Sequence, residues 1–162
     1  MAVIDELVRN SERYAAKFDK GGLPGAPARR LAVVACMDAR LLVHDVLGLR
    51  EGDAHVIQNA GGLAKDALRS LVLSQRLLGT NAIAVIHHTD CGLLKIRNED
   101  VHAKVRRDLG ADSSDIDFLP FSDLEQSVRD DVGFLRSSPL IAGEIRGFVF
   151  DVKSGELTEI AE

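Results

Sequence analysis

Between Ile4 and Phe18, apolar side chains at Ile4, Leu7, Val8, Tyr14, Ala15 and Phe18 recur at helical spacing with charges between them, which predicts an amphipathic helix. Lys20-Gly21-Gly22 supplies a cation and then glycine, so the helix is expected to end there and pass into a Gly/Pro loop over 21–27. The pattern then changes. Leu31-Ala-Val-Val-Ala-Cys36 is continuously apolar and β-branched, the mark of a strand covered on both faces. Similar runs occupy 55–58, 82–86 and 147–151. Between them, 63–78 has helical spacing with apolar residues on more than one side. The stretch 122–135 is amphipathic, with Ser122 as N-cap and Glu125 completing a capping box. Lys153-Ser-Gly155-Glu, between 148–152 and 157–160, reads as a hairpin turn. Residues 98–120 are polar and weakly patterned, and no element is assigned to them.

Strands alternating with helices imply an α/β fold: a mostly parallel central sheet flanked by helices, with an antiparallel C-terminal edge strand. The 162 residues fit one domain, with the amino-terminal helix inside 1–20 and the α/β core over 31–162. A chain of this size buries about 70% of its unfolded surface. Hydrophobic residues at 46% with 28% charged describe an ordinary globular chain and exclude general disorder. The net charge of −5 argues against nucleic acid or an anionic membrane as partner. The longest apolar stretch, Leu31 to Met37, is far short of the roughly 20 residues of a membrane span. The amino terminus lacks the basic and apolar regions of a signal peptide, so a cytoplasmic location is expected. Two cysteines make no disulfide framework; in a reducing compartment they read as buried, catalytic or metal-bound.

The first strand-to-helix turn, Cys36-Met-Asp-Ala-Arg40, holds no glycine, so neither a dinucleotide fingerprint nor a P-loop is present. Gly61-Gly62 lacks the Lys-Ser/Thr that would hold a nucleotide, and aromatics at 4% offer little for base stacking. The chemistry lies elsewhere. Cys36 ends the first central strand, while His88 and Cys91 end the third in His87-His88-Thr-Asp-Cys91-Gly92. In open α/β sheets those two strands adjoin where strand order reverses, and ligands sit in the crevice there. Two sulfurs and an imidazole suit Zn²⁺ and leave a fourth position open. Met37 and Ala39 are expected to point away, and Asp38 to reach the metal or Arg40. Taken singly, each cysteine reads equally as core filler, and Asp38 with Arg40 as an ion pair capping a helix. What separates the readings is that both cysteines of the chain fall at strand ends that topology joins. His87 reads as a proton shuttle or, preferably, a structural histidine. His44, His55 and His102 are expected on the surface or on helices without partners, and Thr89 and Asp90 as caps of the next helix.

Cys36-x-Asp38-x-Arg40 followed by His88-x-x-Cys91-Gly92 resembles the signature of the β-class carbonic anhydrases, in their compact prokaryotic type. The likeness runs from the first strand through the closing hairpin. It implies Cys36, His88 and Cys91 as zinc ligands, Asp38 and Arg40 as a catalytic dyad, and hydration of carbon dioxide to bicarbonate by a metal-bound hydroxide. It also implies a switch found in some members, with Asp38 either on zinc or paired with Arg40. A homodimer or tetramer is implied as well, with the amino-terminal helix lying over a neighbour, although the Ile4–Phe18 stripe equally suits this chain's own sheet. Two thiolates neutralise the dication, so water should be acidified less than at a three-histidine site, where its pKa falls to about 7. Asp38 kept ionised by Arg40 then orients the nucleophile. Gln58 stands where the family commonly has arginine before Asn-Ala-Gly, and Pro27-Ala-Arg-Arg30 lacks a substrate-binding glutamine. Two other readings stand beside this one: hydrolysis of carbonyl sulfide or carbon disulfide at the same zinc, and a non-catalytic zinc or thiol module.

Overall fold

The computed structural model describes residues 2–161; Met1 and Glu162, the ends of the expected 1–162 unit, lie outside the described residues. Strands β1 (Leu31–Cys36), β2 (Ala54–Asn59), β3 (Ala82–His88) and β4 (Glu144–Phe150) run parallel, and β5 (Leu157–Glu159) returns antiparallel to β4. The order is β2-β1-β3-β4-β5, so β1 adjoins β3 and the chain reverses its direction of winding between them. Ala35 stands opposite Ile86 and Cys36 opposite Asn59, which brings the carboxyl ends of three strands to one edge.

The continuously apolar runs are strands because both faces are covered. Ala32, Val33, Val34 and Ala35 have no exposed surface. Ala32 and Val34, with Ile83 and Val85, pack against α3 (Ala64–Leu78) and α5 (Leu124–Ser137) through Ala67, Leu71, Val128 and Leu135. Val33, Ala35 and Ile86 face the other way, onto Leu41, Leu63, Leu93 and Phe150. Each large aliphatic side chain so enclosed contributes roughly 1.5–3 kcal/mol.

Several boundaries differ from expectation, each for a local reason. Helix α1 spans Val3–Ala15 and stops before Lys20-Gly21. Its last turn tightens, with Lys17 N–H donating to the Tyr14 carbonyl (3.0 Å) and Phe18 N–H to that of Ala15 (3.2 Å). Helix α5 is capped by Asp123 rather than Ser122: Asp123 Oδ1 accepts from Gln126 N–H at 2.9 Å. A carboxylate there satisfies the same orphan donor as serine would and also meets the helix dipole. Glu125 closes no capping box and pairs with Arg129 instead, at 2.9 Å. Two helices lay outside the reading altogether. α2 (Val43–Leu47) is too short to show a period. α4 (Asn98–Leu109) buries no residue; acidic residues in its first turn, basic ones in its last and a Lys104–Asp108 pair four residues apart support it. Helix α1 also buries none of its residues, so its apolar stripe does not cover this chain's own sheet. Among the described residues, no helix is long and apolar enough to cross a membrane.

Candidate metal centre

Cys36 ends β1, His88 ends β3, and Cys91 follows three residues later; all three are buried, and their donor atoms lie within 4.8 Å of one another. That spread suits a single ion, with bonds of about 2.3 Å to sulfur and 2.0 Å to nitrogen. The His88 Nδ1 lies 2.8 Å from the Thr89 carbonyl. A carbonyl only accepts, so Nδ1 carries the proton and Nε2 presents a lone pair. That Nε2 is buried without a hydrogen-bond partner. A metal between the sulfurs would satisfy it.

The thiols make the same point. Cys36 is drawn down, chiefly because the Cys91 thiol donates to it, and further by the backbone N–H groups of Asp38 and Gly61, against the effect of burial. Cys91, as donor to Cys36 and buried itself, is pushed up. One thiolate is stable alone; two in this space require a compensating cation. The close fit is secured by Gly62, in the left-handed region at φ +73°: a Cβ there would stand 2.7 Å from both Cys36 N and the Ile86 carbonyl oxygen.

Asp38 sits beside the donor group rather than within it, with Oδ2 3.7 Å from His88 Nε2. Arg40 holds it on both oxygens: Nε donates to Oδ1 (2.9 Å), Nη2 to Oδ2 (2.8 Å), and the Arg40 backbone N–H to Oδ1 (2.9 Å). This embrace, the side chain first and the backbone N–H second, keeps the Asp38 carboxyl well below the usual carboxylate range. The donors open onto a cavity of about 340 Å³ walled by Ala60, Gly61, Leu93, Ile96 and Met37. Met37, expected to point away, therefore forms part of the wall.

The remaining expectations divide. His87 faces away from the cavity, fully buried, with Nδ1 2.7 Å from Ser127 Oγ and Nε2 3.0 Å from Asp131 Oδ2, and stacked on Phe121. It is a structural histidine tying β3 to α5. His44 is exposed on α2. His55 and His102 do have partners: Ser74 Oγ at 2.7 Å and Ser113 Oγ at 3.0 Å. Gln58 donates from Nε2 to the Cys36 carbonyl at 3.0 Å, bracing the ligand strand. Thr89 and Asp90 cap no helix. Thr89 Oγ1 accepts from Val152 N–H at 3.0 Å, and Asp90 Oδ2 accepts from Arg40 Nη1 at 3.1 Å. Their partners lie on loops distant in sequence, which local capping rules cannot see.

The profile described as Carbonic anhydrase matches residues 31–157, and a β-carbonic anhydrase 1 of Mycobacterium tuberculosis is 42% identical over 165 residues, 99% of each chain. The chain belongs to the β-carbonic anhydrase family. A carbonic anhydrase structure from Streptococcus mutans superposes on this chain with a TM-score of 0.93, at 43% identity over 99% of each chain. A carbon disulfide hydrolase of Acidithiobacillus thiooxidans is 36% identical over 152 residues, 80% of this chain and 76% of that one. β-Carbonic anhydrases are zinc enzymes, and Cys36, His88 and Cys91 form a donor set that suits zinc.

Proposed function

We propose that the protein catalyses the reversible hydration of carbon dioxide to bicarbonate and a proton, with zinc held by Cys36, His88 and Cys91 and with Asp38 and Arg40 as catalytic residues. The observation that carries this reading is the buried donor group with its orphaned imidazole nitrogen, set beside a carboxylate already locked on a guanidinium. When bound, zinc supplies Lewis acidity, making hydroxide available at a pH where free water is not ionised.

The chain's own residues do the rest. Asp38, charged and fixed by Arg40, accepts a hydrogen bond from the attacking oxygen and aims its lone pair. Leu93, Ile96, Ala60 and Met37 give the cavity apolar walls, a fit for a small nonpolar gas. Asp38 was also expected as a metal ligand. Its three hydrogen bonds to Arg40 favour the alternative, in which Asp38 stays beside the donor set and would leave a bound ion a position free for water. Carbonyl sulfide or carbon disulfide is the second reading, favoured by the same apolar walls and by the relative named for that hydrolysis. A non-catalytic zinc or thiol module has no use for Arg40, which holds Asp38 beside the donors rather than among them.

We further read the molecule as one domain over 1–162, whose core from residue 31 onward carries the chemistry and whose helix α1 crosses to a neighbour, making a homodimer or a tetramer of dimers. Support comes from Ile4, Leu7 and Val8, each more than half exposed on α1. Both cysteines are free thiols, as a reducing compartment such as the cytoplasm would keep them.

Stopped-flow hydration of carbon dioxide tests the catalytic reading. The wild type should be active, and Asp38→Ala should keep its zinc while losing about 10²-fold in kcat/KM, as expected for a group that orients or relays a proton. Equal, background-level rates for both across a pH series would contradict it, and sulfide release from carbon disulfide would then select the second reading.

A further inference from the structure

We propose that Asp90 is a positioning residue for the Arg40–Asp38 pair, bracketing the Arg40 guanidinium from the side opposite Asp38; the inference rests on the carbonic anhydrase reading of the site.

The guanidinium is a planar fork whose N–H groups point along fixed directions. Its Nε and Nη2 edge is spent on Asp38, at 2.9 and 2.8 Å. An arginine gripped on that edge alone can still swing with its carboxylate, because its stem is flexible. Here the free end is also held: Nη1 donates to Asp90 Oδ2 at 3.1 Å. The other Asp90 oxygen is engaged by Lys95. The chain Lys95–Asp90–Arg40–Asp38 thus joins the loop after β3, which follows His88 and carries Cys91, to the loop after β1, which follows Cys36. Arg40 is fixed by two carboxylates, one two residues away and one fifty residues away, rather than by one neighbour.

The backbone adds an independent observation. Asp90 adopts φ +59°, in the left-handed region, and among the described residues only Arg30 and Leu119 are other non-glycine residues with positive φ. Glycine would meet that demand at less cost, and the two neighbouring donors, His88 and Cys91, need only the turn. An aspartate there is explained by what its carboxylate touches. It caps nothing: the 3₁₀ turn Gly92–Leu94 that follows has no side-chain cap.

Since Arg40 and Asp90 are each about half exposed, at 46% and 47%, the effect is modest. Asp90→Gly removes the carboxylate while suiting the left-handed backbone, and Asp90→Asn keeps an oxygen acceptor and also tolerates that conformation. In the zinc-loaded full-length protein, Asp90→Gly should keep its zinc and lose about three- to tenfold in kcat/KM. Asp90→Asn should recover most of that loss. Added to Arg40→Ala, Asp90→Gly should cost nothing further, because nothing remains to be positioned. A second readout does not depend on activity: solvent exchange of the Arg40 Nε–H, followed by NMR and assigned by its disappearance in Arg40→Lys, should be faster in Asp90→Gly with or without metal. Unchanged exchange and unchanged kcat/KM in Asp90→Gly, or the same proportional loss in the Arg40→Ala background, would overturn the proposal. A wild type inactive toward carbon dioxide would sink the carbonic anhydrase reading, and the Arg40 resonance would then decide alone whether Asp90 fixes it.

Discussion

At the carboxyl ends of β1 and β3, Cys36, His88 and Cys91 are sealed among the chain's own elements apart from the cavity they line, each no more than 5% exposed. Helix α1, by contrast, has thirteen residues and buries none, although its apolar stripe is as regular as that of any helix in the molecule. It meets the body through polar contacts near its end, where Tyr14 Oη donates to Glu51 at 2.5 Å and Lys20 pairs with the same carboxylate. One region is finished by its own chain, and the other leaves its apolar stripe uncovered by that chain. On the proposed reading, the metal chemistry and the assembly are carried by separable parts, and changes in one should leave the other standing.

The largest effect is expected from the sealed region. Cys36→Ser removes a donor from the set and leaves Cys91 and His88 without the cation that would relieve them. Zinc retention and hydration should both fall to background, further than the roughly 10–100-fold that changes around a ligand cost, while light scattering reports the same oligomer as the wild type. Metal analysis and stopped-flow rates on one preparation check this; retained zinc with retained activity would break the contrast.

A smaller and different effect belongs to α1. Leu7→Glu with Val8→Glu places charge on an apolar face that the subunit does not cover. Buried by a neighbour, each of these side chains is worth roughly 1.5–3 kcal/mol; left in solvent, its replacement changes subunit stability by no more than about 0.5 kcal/mol. Light scattering should therefore find dissociation to a folded subunit that retains zinc. An unchanged oligomer would show that α1 is not the covering arm.

The strands of the sealed region were legible because burial on both faces leaves unbroken apolar runs, and because the order rule placed β1 beside β3. The His-x-x-Cys spacing singled out His88, and the strand's alternation separates it from its neighbour: His88 faces the sulfurs, whereas His87 turns to Ser127 and Asp131 on the opposite face. Helix α4 escaped notice because a helix that buries nothing has no apolar period to read. The caps failed more subtly. Ser122 and Asp123 both qualify by residue type, and only the path of the chain chose Asp123. Asp90 was the harder case, since its role depends on Arg40, brought to it by the sheet rather than by any spacing. Local rules find what neighbours in sequence decide; the contacts between the two loops after β1 and β3 appear only once the fold exists.

Native mass spectrometry of the freshly isolated wild-type protein addresses the central claim most directly. The account predicts one zinc per subunit, lost from Cys36→Ser and kept by Asp38→Ala; subunits that carry no zinc and take up none when it is offered would contradict it.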